Sequence, residues 1–305
     1  CPAPECDKMG KNAGRCRNLS GGEKKNWKRW LWPVLLVLLG ALAAFVLLRP
    51  DLRQSGAVPV NDGSGTIWIE PDPNLPRSSL KSSDFDRLGS AIVYTGSGYA
   101  AYQGVDVSEW QKSIRWQEVA DSGVDFAVIR CGFRRAVMGT LEQDLLFEDN
   151  YTGAGEAGLR RGLYFFSQAV SVEEAEAEAA YTLELLGGRA LELPIFFDWE
   201  TVDDPEARSL GVSGETVTAC AAAFCRVIEA AGYKAGIYFN LQMGYHTYDL
   251  GQFSAQTLWL AEPAEHPTFF YETALWQYDH HGTVTGIDTE ADRNLLFEKI
   301  EESKN

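Results

Sequence analysis

Asp198 and Glu200 stand two residues apart at the end of a short apolar, aromatic run, Pro-Ile-Phe-Phe-Asp-Trp-Glu over 194–200. Alternate side chains of a β-strand share one face, so the two carboxylates point one way and Trp199 the other. Two acids at the carboxyl end of a buried strand suit general acid–base chemistry on a sugar. One would protonate a leaving oxygen while the other supports developing positive charge. Asp-x-Glu is a common tripeptide, so a polar strand end that merely caps a sheet is the competing explanation.

Two further acids, Asp106 and Asp292, also fall at expected strand ends. Aromatic residues recur at similar points: Tyr164, Trp199, Tyr238, Trp259, Trp276 and Tyr278. Sugar rings stack their apolar faces on such side chains, while their hydroxyls need fixed polar partners. The same aromatics would also serve as core in a barrel.

The elements that must position these residues alternate from about Gln103 onward. Strands are expected at 104–108, 125–130, 162–167, 194–200 and 234–240, with helices near 114–120, 142–158, 171–186 and 213–231. Ser171 followed three residues later by Glu174 reads as a capping box, and Gly187-Gly188 as its stop. Later the helical signal weakens, and 257–261, 274–278 and 283–287 read as strands with short connections. Strand–helix alternation at this spacing gives parallel strands. Seven or eight strands in about 200 residues suggest an α/β fold closed as a TIM-like flattened barrel rather than an open sheet. In a barrel the carboxyl ends of the strands converge, so acids distant in sequence can share one pocket. No dinucleotide, P-loop or zinc-protease motif is present, and no cofactor or metal is implied.

Charge is divided along the chain. Residues 1–49 carry nine Lys/Arg against three Asp/Glu, and residues 50–305 carry 18 against 40. The acidic body argues against nucleic acid as a partner, because phosphate binding needs a basic surface. Residues 30–48 are nineteen residues without a charge, preceded by Lys24, Lys25, Lys28 and Arg29 and marked by Trp27, Trp30 and Trp32. At about 1.5 Å per residue this run nearly spans a hydrocarbon core of about 30 Å. The expected organisation is a basic cytoplasmic tail (1–29), a transmembrane helix (30–48), a linker or strap rich in Pro, Gly and Ser (49–98) and a catalytic barrel (99–305) outside the cell membrane. A cleaved signal peptide is the alternative for 30–48, though its apolar run exceeds the usual h-region of roughly 7–15 residues. Cys1, Cys6 and Cys16 lack a nearby His and make a poor zinc site, while Cys131 reads as core and no Cys220–Cys225 bridge is expected.

Seven motifs in order carry a resemblance: Gly-Val-Asp-Val-Ser at 104–108, Gly-Leu-Tyr-Phe-Phe at 162–166, Phe-Phe-Asp-Trp-Glu at 196–200, Gly-Ile-Tyr-Phe-Asn at 236–240, Trp-Leu-Ala at 259–261, Trp-Gln-Tyr at 276–278 and Asp-Arg-Asn at 292–294. Over about 102–298 the chain resembles glycoside hydrolase family 25, the Chalaropsis-type lysozymes. The resemblance implies a flattened barrel of five β/α units and further strands. It also implies cleavage of the β-1,4 bond between N-acetylmuramic acid and N-acetylglucosamine in peptidoglycan. By position Glu200 matches the general acid and Asp198 the carboxylate that stabilises the positively charged intermediate. Asp106 and Asp292 match two further acids of the pocket, and Tyr164, Tyr238, Trp259 and Trp276 are expected to bind substrate. Two departures stand out. Phe165 replaces a common His, and Glu262-Pro263 replaces a frequent amide and aromatic pair, so both could alter sugar binding. The four His residues, His280-His281 among them, match no catalytic position and read as surface loop residues. A monomer acting on glycan strands is expected. A non-catalytic peptidoglycan-binding barrel and a different envelope glycosidase are the alternatives. The longer acidic run of chitinase-like enzymes is absent from 194–200.

Overall fold

The computed structural model describes residues 56–300. The expected tail, the apolar run at 30–48 and the three cysteines at 1, 6 and 16 lie outside the described residues. Among the described residues no helix is long and apolar enough to cross a membrane.

Two small antiparallel hairpins come first. β1 (Val58–Asn61) pairs with β2 (Thr66–Ile69), and β3 (Phe85–Leu88) pairs with β4 (Ala91–Tyr94). Residues 58–69, expected as loose linker with at most a short strand, are therefore a structured hairpin.

The chain then builds a closed barrel. β5 (Tyr99–Val107), β6 (Phe126–Arg134), β8 (Arg160–Ser167), β9 (Ile195–Trp199), β10 (Ala235–Asn240), β11 (Thr257–Ala261), β12 (Leu275–Gly282) and β13 (Ala291–Lys299) form its eight staves. The pairing order is β5-β13-β12-β11-β10-β9-β8-β6, and β6 returns to β5 to close the ring. β7 (Leu141–Gln143) is an antiparallel addition on β6. Every stave pairing is parallel except β12–β13 and β13–β5. The expected strand at 283–287 is a turn. Its Ile287 amide donates to the Val284 carbonyl, and Gly286 takes a left-handed φ of 95° that no strand residue adopts. The last stave is instead 291–299, running antiparallel.

Alternation sorts the side chains. Phe126, Val128, Phe196, Tyr238, Trp259, Leu275 and Leu296 fill the barrel interior. Gly104 and Gly236 leave the space that the rings of Phe126 and Phe196 occupy: a Cβ at either would lie 2.1–2.5 Å from those rings. The residues between them, Ile195, Phe197, Ile237, Phe239, Leu258 and Leu260, face outward under the helices.

Four helices follow staves as crossovers: α1 (Trp116–Asp121), α2 (Phe147–Glu156), α3 (Val172–Leu186) and α4 (Gly214–Ala230), and a short α5 (Leu241–His246) follows β10. Ser171 caps α3 by accepting from the Glu174 amide, and Gly187 ends it at φ 61°. The reciprocal half of the expected box is shifted, since the Glu174 carboxylate accepts from Val170 at 3.0 Å. Cys131, Cys220 and Cys225 are buried free thiols.

Among the described residues no helix follows β12 or β13, so the outer face they share with β5 needs another cover. The β3–β4 hairpin supplies it. Phe85 sets its ring against Trp276 at 5.5 Å and Phe297 at 6.1 Å, and Tyr94 meets Phe297 at 5.7 Å. Each such edge-to-face pair adds about 0.5–1.5 kcal/mol beyond burial. Gln103 on β5 donates to the Ile92 carbonyl at 2.6 Å and fixes the register of the strap.

Candidate active site

β9 ends at the carboxyl rim of the barrel. Asp198 lies opposite Tyr238 of β10 and Phe166 of β8 in the ladder. Trp199 turns outward and donates its indole N–H to the Ala169 carbonyl at 3.0 Å. Glu200 follows as the first residue past the strand, its carbonyl held by the Gln168 amide at 2.6 Å. The two carboxylates therefore share a face, as the spacing requires.

They line a cavity of about 220 Å³ with Asp106, Asp292, Arg130, Tyr164, Tyr238 and Gln277. Asp292 and Asp106 are register partners across β13 and β5. Because β13 runs backwards, its first residues sit at the same rim as the last residues of the parallel staves.

A buried hydrogen-bond chain ties the floor together. Trp259 donates to Asn294 Oδ1 at 2.8 Å, and Asn294 donates to Asp106 Oδ2 at 2.7 Å. Gln277 donates to the same Asp106 oxygen at 2.8 Å and to Asp292 Oδ2 at 3.2 Å. Tyr238 donates its hydroxyl to Gln277 Oε1 at 2.8 Å, which fixes the amide orientation. Asp198 Oδ1 is buried and has no hydrogen-bond partner among the described residues.

Burial of four acids in one cleft disfavours their charged forms. Burial raises Asp198 well above the ordinary carboxylate range, and the charges of Glu200 and Asp106 add to it. Glu200 is raised by burial and then by Asp106. Asp106 is raised by burial, an effect opposed by donation from Asn294 and Gln277. Asp292 is pushed up to about 9, first by burial and then by the charge of Asp106. The Asp198–Glu200 and Asp106–Asp292 pairs thus each bring two raised carboxyls together, and simultaneous ionisation of both members is disfavoured. Among the described residues Arg130 is the one cation lining the cavity; its charge is shared with Asp144 at 2.7 Å and Glu109 at 3.2 Å.

This electrostatic arrangement has a stability consequence. A carboxyl whose pKa is higher folded than unfolded stabilises the fold below its unfolded value of about 4. That contribution is lost as pH rises through the folded value. The Asp292→Asn variant should therefore lose less thermal stability than the wild type between about pH 5 and pH 8. Melting curves of the two chains across that range check it. Equal slopes would contradict the assignment of a raised pKa to Asp292.

The structure gathers seven of the eight residues expected at the site: Asp106, Tyr164, Asp198, Glu200, Tyr238, Trp259 and Asp292 all line the cavity. Trp259 is only 1% exposed and serves as floor, with Tyr238 at 4.7 Å and Phe196 at 5.0 Å. Trp276 is the exception. It faces outward, fully buried under Phe85, and donates to the Glu262 carbonyl at 2.8 Å. The reason is the pleat that pairs Asp198 with Glu200: in Trp-Gln-Tyr the middle residue faces inward, so Gln277 reaches the cavity. The residues missed are Gln277, Asn294 and Arg130. The first two were legible from alternation, Asn294 being two residues from Asp292. Arg130 needed the tertiary fold. Phe165 also faces outward, against Tyr181, so its departure from the common His does not reach the cavity. His280 and His281 lie on β12 rather than in a loop, and His280 is half-buried beside Asp106.

Four carboxyls gathered at the carboxyl rim of a closed α/β barrel suit a glycoside hydrolase. The model of glycosyl hydrolases family 25 matches residues 105–287, and the chain belongs to that family. It is 29% identical over 279 residues to Lysozyme M1 of Streptomyces globisporus, covering 85% of this chain and 89% of that one. The bacterial lysozyme of Streptomyces coelicolor superposes with a TM-score of 0.54 at 27% identity, over 67% of this chain and 94% of that one. A family 25 glycosyl hydrolase from Bacillus anthracis shares the fold, with a TM-score of 0.56 at 22% identity, over 67% of this chain and 92% of that one.

Proposed function

We propose that this chain is a muramidase that hydrolyses the β-1,4 bond between N-acetylmuramic acid and N-acetylglucosamine in peptidoglycan. The observation that carries this is the Asp198–Glu200 pair, two carboxyls raised by burial on one face of the cavity. The names of the relatives, lysozymes among them, agree with it.

Glu200 acts as the general acid. It stands at the mouth of the cavity, less buried than Asp198, and its raised pKa keeps a proton available for the leaving glycosidic oxygen. Asp198 stabilises the positive charge that develops as the bond breaks. Its unpartnered Oδ1 can accept from the substrate's N-acetyl N–H, which would turn the acetyl oxygen toward the anomeric carbon. Asp106 and Asp292, both held by Gln277 and Asp106 also by Asn294, bind sugar, and the charge of Asp106 adds to the burial that raises Glu200. Tyr164 and Tyr238 present ring faces to the sugar.

We infer that the chain acts as a monomer tethered by residues 30–48, with the hydrolase outside the cell membrane. The sequence pattern of that segment supports this. The test of function is digestion of purified peptidoglycan by the full chain in detergent, with mass analysis of reduced products. Ends bearing reduced muramic acid are expected. Ends bearing reduced glucosamine would overturn the bond assigned, and binding without products would leave a glycan-binding barrel.

The body of the chain, 18 Lys/Arg against 40 Asp/Glu over 50–305, faces an anionic wall. Screening over about 8–10 Å at moderate salt relieves that repulsion. Wall digestion should therefore speed up with ionic strength before it declines. A rate that only falls as salt is added contradicts this.

A further inference from the structure

Beside the catalytic cavity lies a second one of about 730 Å³, within the roughly 300–1,000 Å³ of small-ligand clefts. One wall comes from the barrel: Asn240 and Ala261, two residues beyond Tyr238 and Trp259 on the same staves, with Gln242 and Ala264. Two residues of strand advance roughly 6.6 Å, about the length of one sugar unit. The other wall is the β1–β2 turn, Asn61 to Ser64, which lies outside the matched residues 105–287.

That turn is built, not draped. Asp62 is 3% exposed; its Oδ1 accepts from the Ser64 amide, the Ser64 hydroxyl and the Gly65 amide at 2.8–3.0 Å. Its Oδ2 pairs with His246 Nε2 at 2.7 Å, and its carbonyl accepts from Gln242 Nε2 at 2.9 Å. Gly63, at φ 92°, makes the bend possible. The hairpin is thus fastened to the rim by side chains of α5.

The lining chemistry selects the occupant. Both carboxylates are already engaged, Asp62 as above and Glu262 with the Thr268 amide at 2.8 Å and hydroxyl at 2.5 Å. Among the described residues no Lys, Arg or His lines the cavity. A stem peptide, with its free carboxylates and amines, finds no free counter-charge there. What remains is one end of each carboxamide beside apolar surface (Leu241, Pro263, Ala264): the NH2 of Asn61 and Asn240, whose oxygens accept from the Gly63 and Met243 amides, and Oε1 of Gln242, whose NH2 holds Asp62. Amide groups match an acetamido substituent, and apolar surface matches a pyranose face.

We propose, building on the glycan-cleaving function above, that the β1–β2 hairpin and the Asn240–Ala264 rim form a distal subsite for an N-acetylhexosamine of the strand being cut. The enzyme then favours long glycan strands over short ones.

The test compares kcat/KM of the full chain on short and long peptide-free glycan strands. The long-to-short ratio should fall about tenfold in Gln242→Ala, on the order of one or two lost hydrogen bonds. Ala264→Phe, which fills the cavity without touching the hairpin clamp, should do the same. A ratio unchanged in both variants overturns the proposal. So does a fall seen only on peptide-bearing strands, which would assign the cavity to the stem. Should the wild type cut no strand of any length, the glycan-cleaving function fails separately. Binding of the long strands, measured without turnover on wild type and both variants, still decides the subsite: weaker binding in both variants supports it, equal binding overturns it.

Discussion

Glu200→Gln should lower kcat for glycan cleavage by about 10²- to 10⁴-fold with little change in KM. Gln keeps the size and hydrogen-bonding reach of the side chain but holds no transferable proton. The position is fixed by backbone, since Gln168 holds the Glu200 carbonyl at 2.6 Å, so the variant should keep the local geometry. The effect falls on the transition state because proton donation matters only as the glycosidic bond breaks. Single-turnover assays on purified peptidoglycan, with binding measured in parallel, separate the two constants. A variant that retains wild-type turnover would remove Glu200 as the acid and direct attention to Asp292, whose raised pKa also keeps a proton at neutral pH.

Trp276→Ala should cost about 3–5 kcal/mol of folding stability, the usual penalty for truncating a fully buried Trp. Its ring is 0% exposed, packs against Phe85 at 5.5 Å and Tyr278 at 5.5 Å, and donates to the Glu262 carbonyl. Truncation removes the support of the β3–β4 strap and leaves that carbonyl unpaired. Below its lowered melting point the variant should cleave short glycans with an unaltered KM, because the ring never faces the cavity. Denaturant unfolding and steady-state kinetics on the same preparation check both halves. Trp259→Ala is the contrast. That ring touches Tyr238 and orients Asn294, so its loss should lower stability and kcat together. A raised KM in Trp276→Ala would return this residue to the sugar-binding set.

Local signals found most of the barrel. Alternating apolar runs, the Ser171 cap and the Gly187 stop placed seven staves and all four crossover helices within about five residues. The failures share a cause. Residues 283–287 have strand-like composition, but Gly286 turns the chain where its carbonyl accepts from Arg115 at 2.9 Å, a contact 171 positions distant. Residues 91–94 read as a short strand or strap and are one, but their partner 85–88 carries no alternation, because its ring, Phe85, answers the outer faces of β12 and β13. Trp276 was misplaced because aromatic identity was weighed above the pleat that had already oriented Asp198 and Glu200.

Residue type and spacing by themselves determined the parallel α/β character, the common face of Asp198 and Glu200, and the order of motifs that marks the family. These follow from interactions within a strand or a turn, where the period of the backbone decides. Only the tertiary structure decided that Asp292 opposes Asp106, that Gln277 and Asn294 hold Asp106 and that Arg130 faces the acids. It also decided that the β1–β2 turn walls a second cavity. Those outcomes depend on barrel closure and on an antiparallel last stave, which bring together residues more than 170 positions apart. Burial then raises the carboxyls, and burial is a property of the assembled barrel rather than of any segment of its sequence.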